Sequence, residues 1–215
     1  MFSGKDKLFA LDKGTTTASF ITKDGIVVAV DSRATSGSYI ASQTVNKVIQ
    51  VNKYLLGTMA GGAADCFYWE RAMGNYAMQH ELKYGERIPV AGAAKYLSAT
   101  LNAYKGRGLS IGSMVCGWGS SGPAIYYVDD SGNCVNGKLF SVGSGSLFAY
   151  GILNTGYKYE MDKEDAIELA RRAIFHAGHS DAYSGGTVNI YFIDETGWSK
   201  VDSQDVSCLY DKYME

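Results

Sequence analysis

Thr15 follows Gly14 and opens the run Thr15-Thr16-Thr17 at the head of a strand-like stretch. A cut between Gly14 and Thr15 would leave one residue with both a hydroxyl nucleophile and a free α-amine to act as its base. The string alone is weak evidence, but two other side chains give it context. Asp31 closes the apolar run Ile26-Val27-Val28-Ala29-Val30, and Lys47 shares a strand face with Val45, Ile49 and Val51. An ammonium among Val and Ile is desolvated and needs a partner, and Asp31 is the natural candidate. A structural ion pair between adjacent strands explains the same spacing, so the pair is not by itself a site.

A free α-amine changes what each group would do. Its reference pKa is about 7.7–8.0 against about 10.4 for lysine, so near pH 7 it is neutral roughly 300-fold more often. The amine is then the better base. Lys47 is suited to stay cationic, held by Asp31, and to favour the ionised Thr15 hydroxyl. Gly61-Gly62 reads as a tight turn from strand to helix, and equally as a backbone N–H aimed at a developing oxyanion with a helix N-terminus behind it. Ser141 to Ser146 and Asp181 to Gly186 are small-residue loops. Neither fits a phosphate-binding pattern, and each alone reads as a turn. His80, His176 and His179 lack zinc-site spacing and read as helix-terminal histidines. Gly119-Ser120-Ser121-Gly122 reads as a hairpin turn, not a nucleophile elbow.

The elements that must position these groups follow from periodicity. Thr15 to Thr22 reads as a strand, and Ile26 to Val30, apolar throughout, as one covered on both faces. Further strands are expected at Val45–Val51 and Tyr54–Ala60. A helix is expected from about Ala63 to Tyr84, stopped by Gly85, and a second from Pro89 to about Tyr104. Strands return at Ser110–Trp118, Ala124–Val128 and Leu139–Val142, followed by a short helix over Leu147–Asn154. Asp162 is expected to cap a helix whose stripe is Ala166, Leu169, Ala170, Ala173, Ile174 and Ala177. Thr187–Ile193 and Trp198–Val201 read as a closing hairpin. Paired strand blocks alternating with helix pairs predict two stacked sheets with helices outside, not a doubly wound parallel sheet.

At 215 residues and 46% hydrophobic content, one core and a single domain are the default. The net charge of −2 and the absence of a basic stripe argue against nucleic acid as a ligand. No apolar run approaches the roughly 20 residues of a membrane span, so no membrane association is expected. The patch Leu8-Phe9-Ala10-Leu11 is too short for a signal peptide. Cys66, Cys116, Cys134 and Cys208 read as thiols in a reducing compartment, with no zinc knuckle or redox pair among them. No cofactor or metal is expected.

With Thr15, Asp31, Lys47 and Gly61 identified, the chain resembles proteasome β subunits of the N-terminal-nucleophile (Ntn) hydrolase superfamily, and most closely the catalytic type-5, or chymotrypsin-like, kind. The strings that carry the resemblance are Gly14-Thr15-Thr16-Thr17, Asp31-Ser32-Arg33-Ala34-Thr35, Tyr39 to Thr44, Leu56 to Cys66, Tyr104-Lys105-Gly106, Phe140 to Ser146, Ala170 to Ile174 and Asp181 to Gly186. They run from Thr15 to about Tyr213.

The resemblance implies an α+β, four-layer αββα sandwich: two stacked, mainly antiparallel sheets flanked by helices. It implies residues 1–14 as a propeptide removed by self-cleavage after Gly14, and 15–215 as the Ntn-hydrolase domain. Thr15 would be the nucleophile, with Asp31 and Lys47 beside it, Gly61 N–H as oxyanion donor, and Ser144, Asp181 and Ser184 around the amine. Ala34, Val45, Met59, Ala63 and Cys66 would line the primary specificity pocket, and Thr35, Gly61 and Ala63 would pair with substrate backbone. The implied activity is threonine-type endopeptidase cleavage of unfolded polypeptides after large apolar residues. Implied partners are other α and β subunits in stacked heptameric rings, in cytoplasm and nucleus. A ring subunit that only scaffolds, or a small-molecule amidase of the same superfamily, are the competing readings.

Overall fold

The computed structural model describes residues 14–214. In chain order the first strands are β1 (Thr17–Ile21), β2 (Ile26–Val30), β3 (Ala34–Ser36), β4 (Tyr39–Ser42), β5 (Val48–Asn52), β6 (Leu55–Thr58) and β7 (Ala60–Gly61). Helices α1 (Ala63–Tyr84) and α2 (Val90–Ala103) follow, then strands β8 (Ile111–Gly119), β9 (Gly122–Asp129), β10 (Cys134–Gly137) and β11 (Leu139–Val142). Helices α3 (Ser146–Gly156) and α4 (Lys163–Ser180) precede β12 (Thr187–Asp194) and β13 (Gly197–Asp205). A 3-10 turn at Val206–Leu209 and the short α5 (Tyr210–Met214) complete the described chain.

One sheet has the order β11-β1-β2-β12-β13, and the other β10-β9-β8-β6-β5 with β7 also paired to β8. The pairings in both are antiparallel. Alternation in β2 explains its unbroken apolar run. Val27 and Ala29 pack under α3 and α4, while Ile26, Val28 and Val30 meet Leu56, Met114, Cys116 and Ile125 of the other sheet. The second sheet buries its far face against α1 and α2 through Leu55, Met73, Ala77, Leu97 and Leu101. Helix pair, sheet, sheet and helix pair make the four-layer αββα sandwich expected of an Ntn-hydrolase.

The helix stripe Ala166, Leu169, Ala170, Ala173, Ile174 and Ala177 is buried in α4. Gly85 ends α1 in the left-handed region, at φ 72, and its N–H donates to Glu81 O. Three readings need adjustment. Asp162 holds the N-cap position of α4, but its carboxylate bonds Lys23 at 2.5 Å and caps nothing. Pro89 sits just before α2 and not in its first turn. The expected strand over 54–60 divides at Met59, where the chain passes from β6 to β7.

Candidate active site

The end of β1 where the chain enters the sheet is flanked by two neighbours, and both deliver functional groups to it. β2 runs antiparallel to β1, with Thr17 opposite Val30, so Asp31 emerges beside Thr16. β11 pairs on the other side, with Thr17 opposite Val142, so the loop that follows brings Ser144 to Thr15. Gly143 makes that approach possible: its φ is +112, and a Cβ there would lie 1.9 Å from Thr15 O. Gly14 is equally constrained, since a Cβ would overlap Tyr183 Cβ at 1.8 Å.

Asp31 is fully buried and Lys47 is 3% exposed. Lys47 Nζ donates to Asp31 Oδ1 at 2.6 Å. The same oxygen accepts Thr16 N–H at 2.9 Å, and Oδ2 accepts Gly185 N–H at 3.0 Å. Burial pushes the Asp31 carboxyl up and the Lys47 ammonium down from their ordinary values, and their mutual contact opposes both shifts. The ammonium and the backbone donors that meet on one carboxylate favour its charged form. Lys47 lies one residue before β5, yet its carbonyl still accepts Met59 N–H at 2.9 Å, so the strand pairing holds it in place.

Thr15 Oγ1 donates to Gly14 O at 2.6 Å, and Lys47 Nζ reaches the same carbonyl oxygen at 3.2 Å. Thr15 N–H donates to Ser144 Oγ at 3.2 Å. Ser144 Oγ and Ser184 Oγ both donate to Asp181 Oδ2, at 2.5 and 2.6 Å. Ser184 Oγ also contacts Thr16 Oγ1 at 2.7 Å. Two loops that read as ordinary turns thus meet in one hydrogen-bonded chain around the Thr15 nitrogen.

A cavity of about 140 Å³ opens beside Thr15, lined by Ala34, Thr35, Val45, Lys47, Met59, Gly61 and Ala63, with Gly14 and Arg33 at its wall. Gly61 has φ +101 and pairs with Ile111. Cys66 does not line this cavity. It is fully buried, with its thiol donating to Ala60 O at 3.3 Å. Thr35 Oγ1 accepts Gly14 N–H at 3.1 Å.

Three contributors had no role assigned from sequence. Thr16 contacts both Asp31 and Ser184, and the Gly185 N–H supports Asp31. Arg33 bonds Gln43 Oε1 and Ala182 O, each at 3.1 Å, tying two loops of the site together. Its place in Asp31-Ser32-Arg33, directly after the site carboxylate, was the available signal.

A family model described as "Proteasome subunit" matches residues 11–193. The chain is 54% identical over 202 residues to "Proteasome subunit beta type-8" of Rattus norvegicus, covering 94% of this chain and 73% of that protein. It is 55% identical over 200 residues to "Proteasome subunit beta type-5" of Gallus gallus, covering 93% and 78%. The type-5 subunit of Dictyostelium discoideum is 52% identical over 200 residues, covering 93% and 74%. Type-5 and type-8 relatives match at similar identity, so the comparisons do not separate the two.

Proposed function

This chain belongs to the proteasome subunit family as a β subunit, and we propose that it works there as a type-5 threonine endopeptidase, cutting unfolded polypeptides after large apolar residues. Its relation to type-5 and type-8 β subunits supports a threonine-type endopeptidase role. The observation that carries the reading is the meeting of the Thr15 hydroxyl and the Lys47 ammonium on one oxygen, Gly14 O.

In maturation, Thr15 Oγ attacks the Gly14 carbonyl carbon while Lys47 stabilises charge on the carbonyl oxygen. The peptide C–N bond breaks as the hydroxyl proton passes to the Thr15 nitrogen, leaving Gly14 as an ester on Thr15 Oγ, and water then releases the segment ending at Gly14. Thr15 then has a free amine. In peptide cleavage that amine takes the hydroxyl proton as Oγ attacks the scissile carbonyl, and returns it to the leaving amine. An acyl-ester on Thr15 remains, and water activated by the same amine hydrolyses it. Ser144, Asp181 and Ser184 orient the amine, and Lys47, fixed by Asp31, favours the ionised hydroxyl. Gly61 N–H serves the oxyanion, a contribution of about 2.7–4 kcal/mol for one such donor.

Small Ala34 and Ala63 leave depth in the cavity, Val45 supplies an apolar wall, and Met59 adapts its shape. The charged members are already engaged, Lys47 by Asp31 and Arg33 by Gln43 and Ala182. The pocket therefore favours an apolar side chain. Family membership implies assembly with other α and β subunits, and we place this chain in stacked heptameric rings of cytoplasm and nucleus.

The deciding measurement is the intact mass of this chain taken from its assembly. A mass beginning at Thr15 is expected, with apolar-site cleavage abolished in Thr15→Ala. Retention of Gly14 in the assembled, active particle would leave a scaffold role and overturn the mechanism.

A further inference from the structure

Glu70, on the underside of α1, has no part in the chemistry above. The residue is 0% exposed. Its Oε1 accepts from Ser113 Oγ of β8 at 2.8 Å, and Oε2 has no hydrogen-bond partner among the described residues. That oxygen lies over Gly57 of β6, where a Cβ would come within 2.1 Å of it. The space left by the missing Gly57 side chain is the socket the carboxyl fills. Ionised, the group is a buried charge with no cation; neutral, it can share a proton with Ser113 Oγ, but Oε2 still lacks a partner among the described residues. A methionine would fill the space without that cost.

Its position relates it to the cleavage site. Cys66 and Glu70 are buried one turn apart on the face of α1 turned to the sheet, and Ala63 begins the helix one turn before Cys66. Ala63 lines the cavity beside Thr15, and Cys66 bonds Ala60 O. Ser113 directly follows Gly112, which pairs with Ala60 of β7, the strand that carries Gly61. Two contacts therefore pin the first two turns of α1 to the strands that build the pocket. We propose that Glu70 is a positioning residue for peptide cleavage: its carboxyl ties α1 to β6 and β8, and so holds Ala63 and Gly61 in place around Thr15. This rests on the threonine-protease reading above.

Burial raises the Glu70 carboxyl to about 8, so the tie is neutral at pH 7 and ionises above that. On β8 the nearby titratable group is the Cys116 thiol, on the opposite face of the strand and pushed up to about 12 by burial and by Glu70. β5, β6 and β7 carry no charged residue. On its own helix, Arg71 and Glu81 line the adjoining groove, and α2 brings the exposed Lys95 and Tyr96, stacked on Tyr76.

The test uses whole proteasome assemblies carrying Glu70→Gln, Glu70→Ala or Thr15→Ala, assayed on an apolar-site peptide across the pH range around 8. Glu70→Ala is expected to lower kcat/KM roughly tenfold or more, as small misplacements of reacting groups do. Glu70→Gln, neutral and of the same shape, restores most of it. The wild type loses kcat/KM as pH rises through about 8 in a step that Glu70→Gln lacks. The Thr15 amine gains base character over that range, and any Lys47 titration is common to both forms, so the difference isolates Glu70. Wild-type kcat/KM in Glu70→Ala, no rescue by Glu70→Gln, or an unchanged alkaline step in Glu70→Gln overturns the proposal. If Glu70→Ala does not assemble, the Glu70→Gln profile decides. Cleavage surviving in Thr15→Ala sinks the protease reading and this one with it; cleavage lost there but unchanged in the Glu70 variants sinks only this one.

Discussion

Lys47 and Asp31 show how little one buried charge can do without the other. With both present, the carboxylate accepts an ammonium and backbone N–H groups. Lys47→Ala leaves that carboxylate buried and unpaired, a loss of about 3–5 kcal/mol. The variant is expected to lose turnover and to unfold at a lower temperature, read by thermal melting alongside the peptide assay. An unchanged melting point would mean that the pair contributes nothing to stability. Glu70 makes a second residue-scale prediction, on stability. In the folded chain its pKa of about 8 stands above the ordinary carboxyl value of 4.5. Between those values the unfolded chain has released the proton and the folded chain has not, so stability falls as pH rises through the window, by about 1.4 kcal/mol per unit, and levels off above pH 8. Denaturant titrations at several pH values should find this slope in the wild type and not in Glu70→Gln; equal slopes would refute the shift.

Strands and loops, more than helices, set the site. Gly143 brings the loop after β11 against Thr15 O, and neither its φ of +112 nor its 1.9 Å clearance tolerates a side chain. Gly143→Ala is expected to displace Ser144 from Thr15 and cost more than the roughly 1 kcal/mol of a typical point substitution, with self-cleavage slowed. The released fraction over time, followed by mass, measures it; wild-type processing would show the loop can yield. Legibility at this scale followed length and periodicity. The 22 residues of α1 ended where Gly85 required, and the α4 stripe could be read residue by residue. The β3–β4 hairpin and β10 were not visible. β3 and β4 have no buried position, Tyr39 and Ile40 are exposed, and strands of three or four residues establish no period. At the site, Lys47 announced itself as a charge among aliphatic residues. Ser144 and Asp181 did not, because only the strand order brings loops 37 residues apart within hydrogen-bonding distance. Glu70 was missed because α1 carries large apolar residues on its exposed side as well, such as Phe67, Tyr68 and Leu82, so its pattern gave no sign of which carboxylate turned inward.

At the scale of the whole fold, two sheets close on each other and, among the described residues, leave the outer face of α1 uncovered. Phe67, Tyr68, Met78 and Leu82 are exposed there, Leu82 at 81%. Assembly with other subunits gives such a face something to cover, at about 1.5–3 kcal/mol for a fully buried leucine. Leu82→Glu is expected to reduce incorporation into particles while leaving the fold intact, measured by native separation beside circular dichroism. Equal incorporation would mean that this face stays in solvent.

The contact between Thr15 Oγ1 and Gly14 O has a kinetic consequence. If that is the bond cut, nucleophile and target are consecutive residues of one folded chain. Release of the leading segment is then unimolecular: its half-time should not change on dilution of the particle, and an added peptide competitor should not slow it.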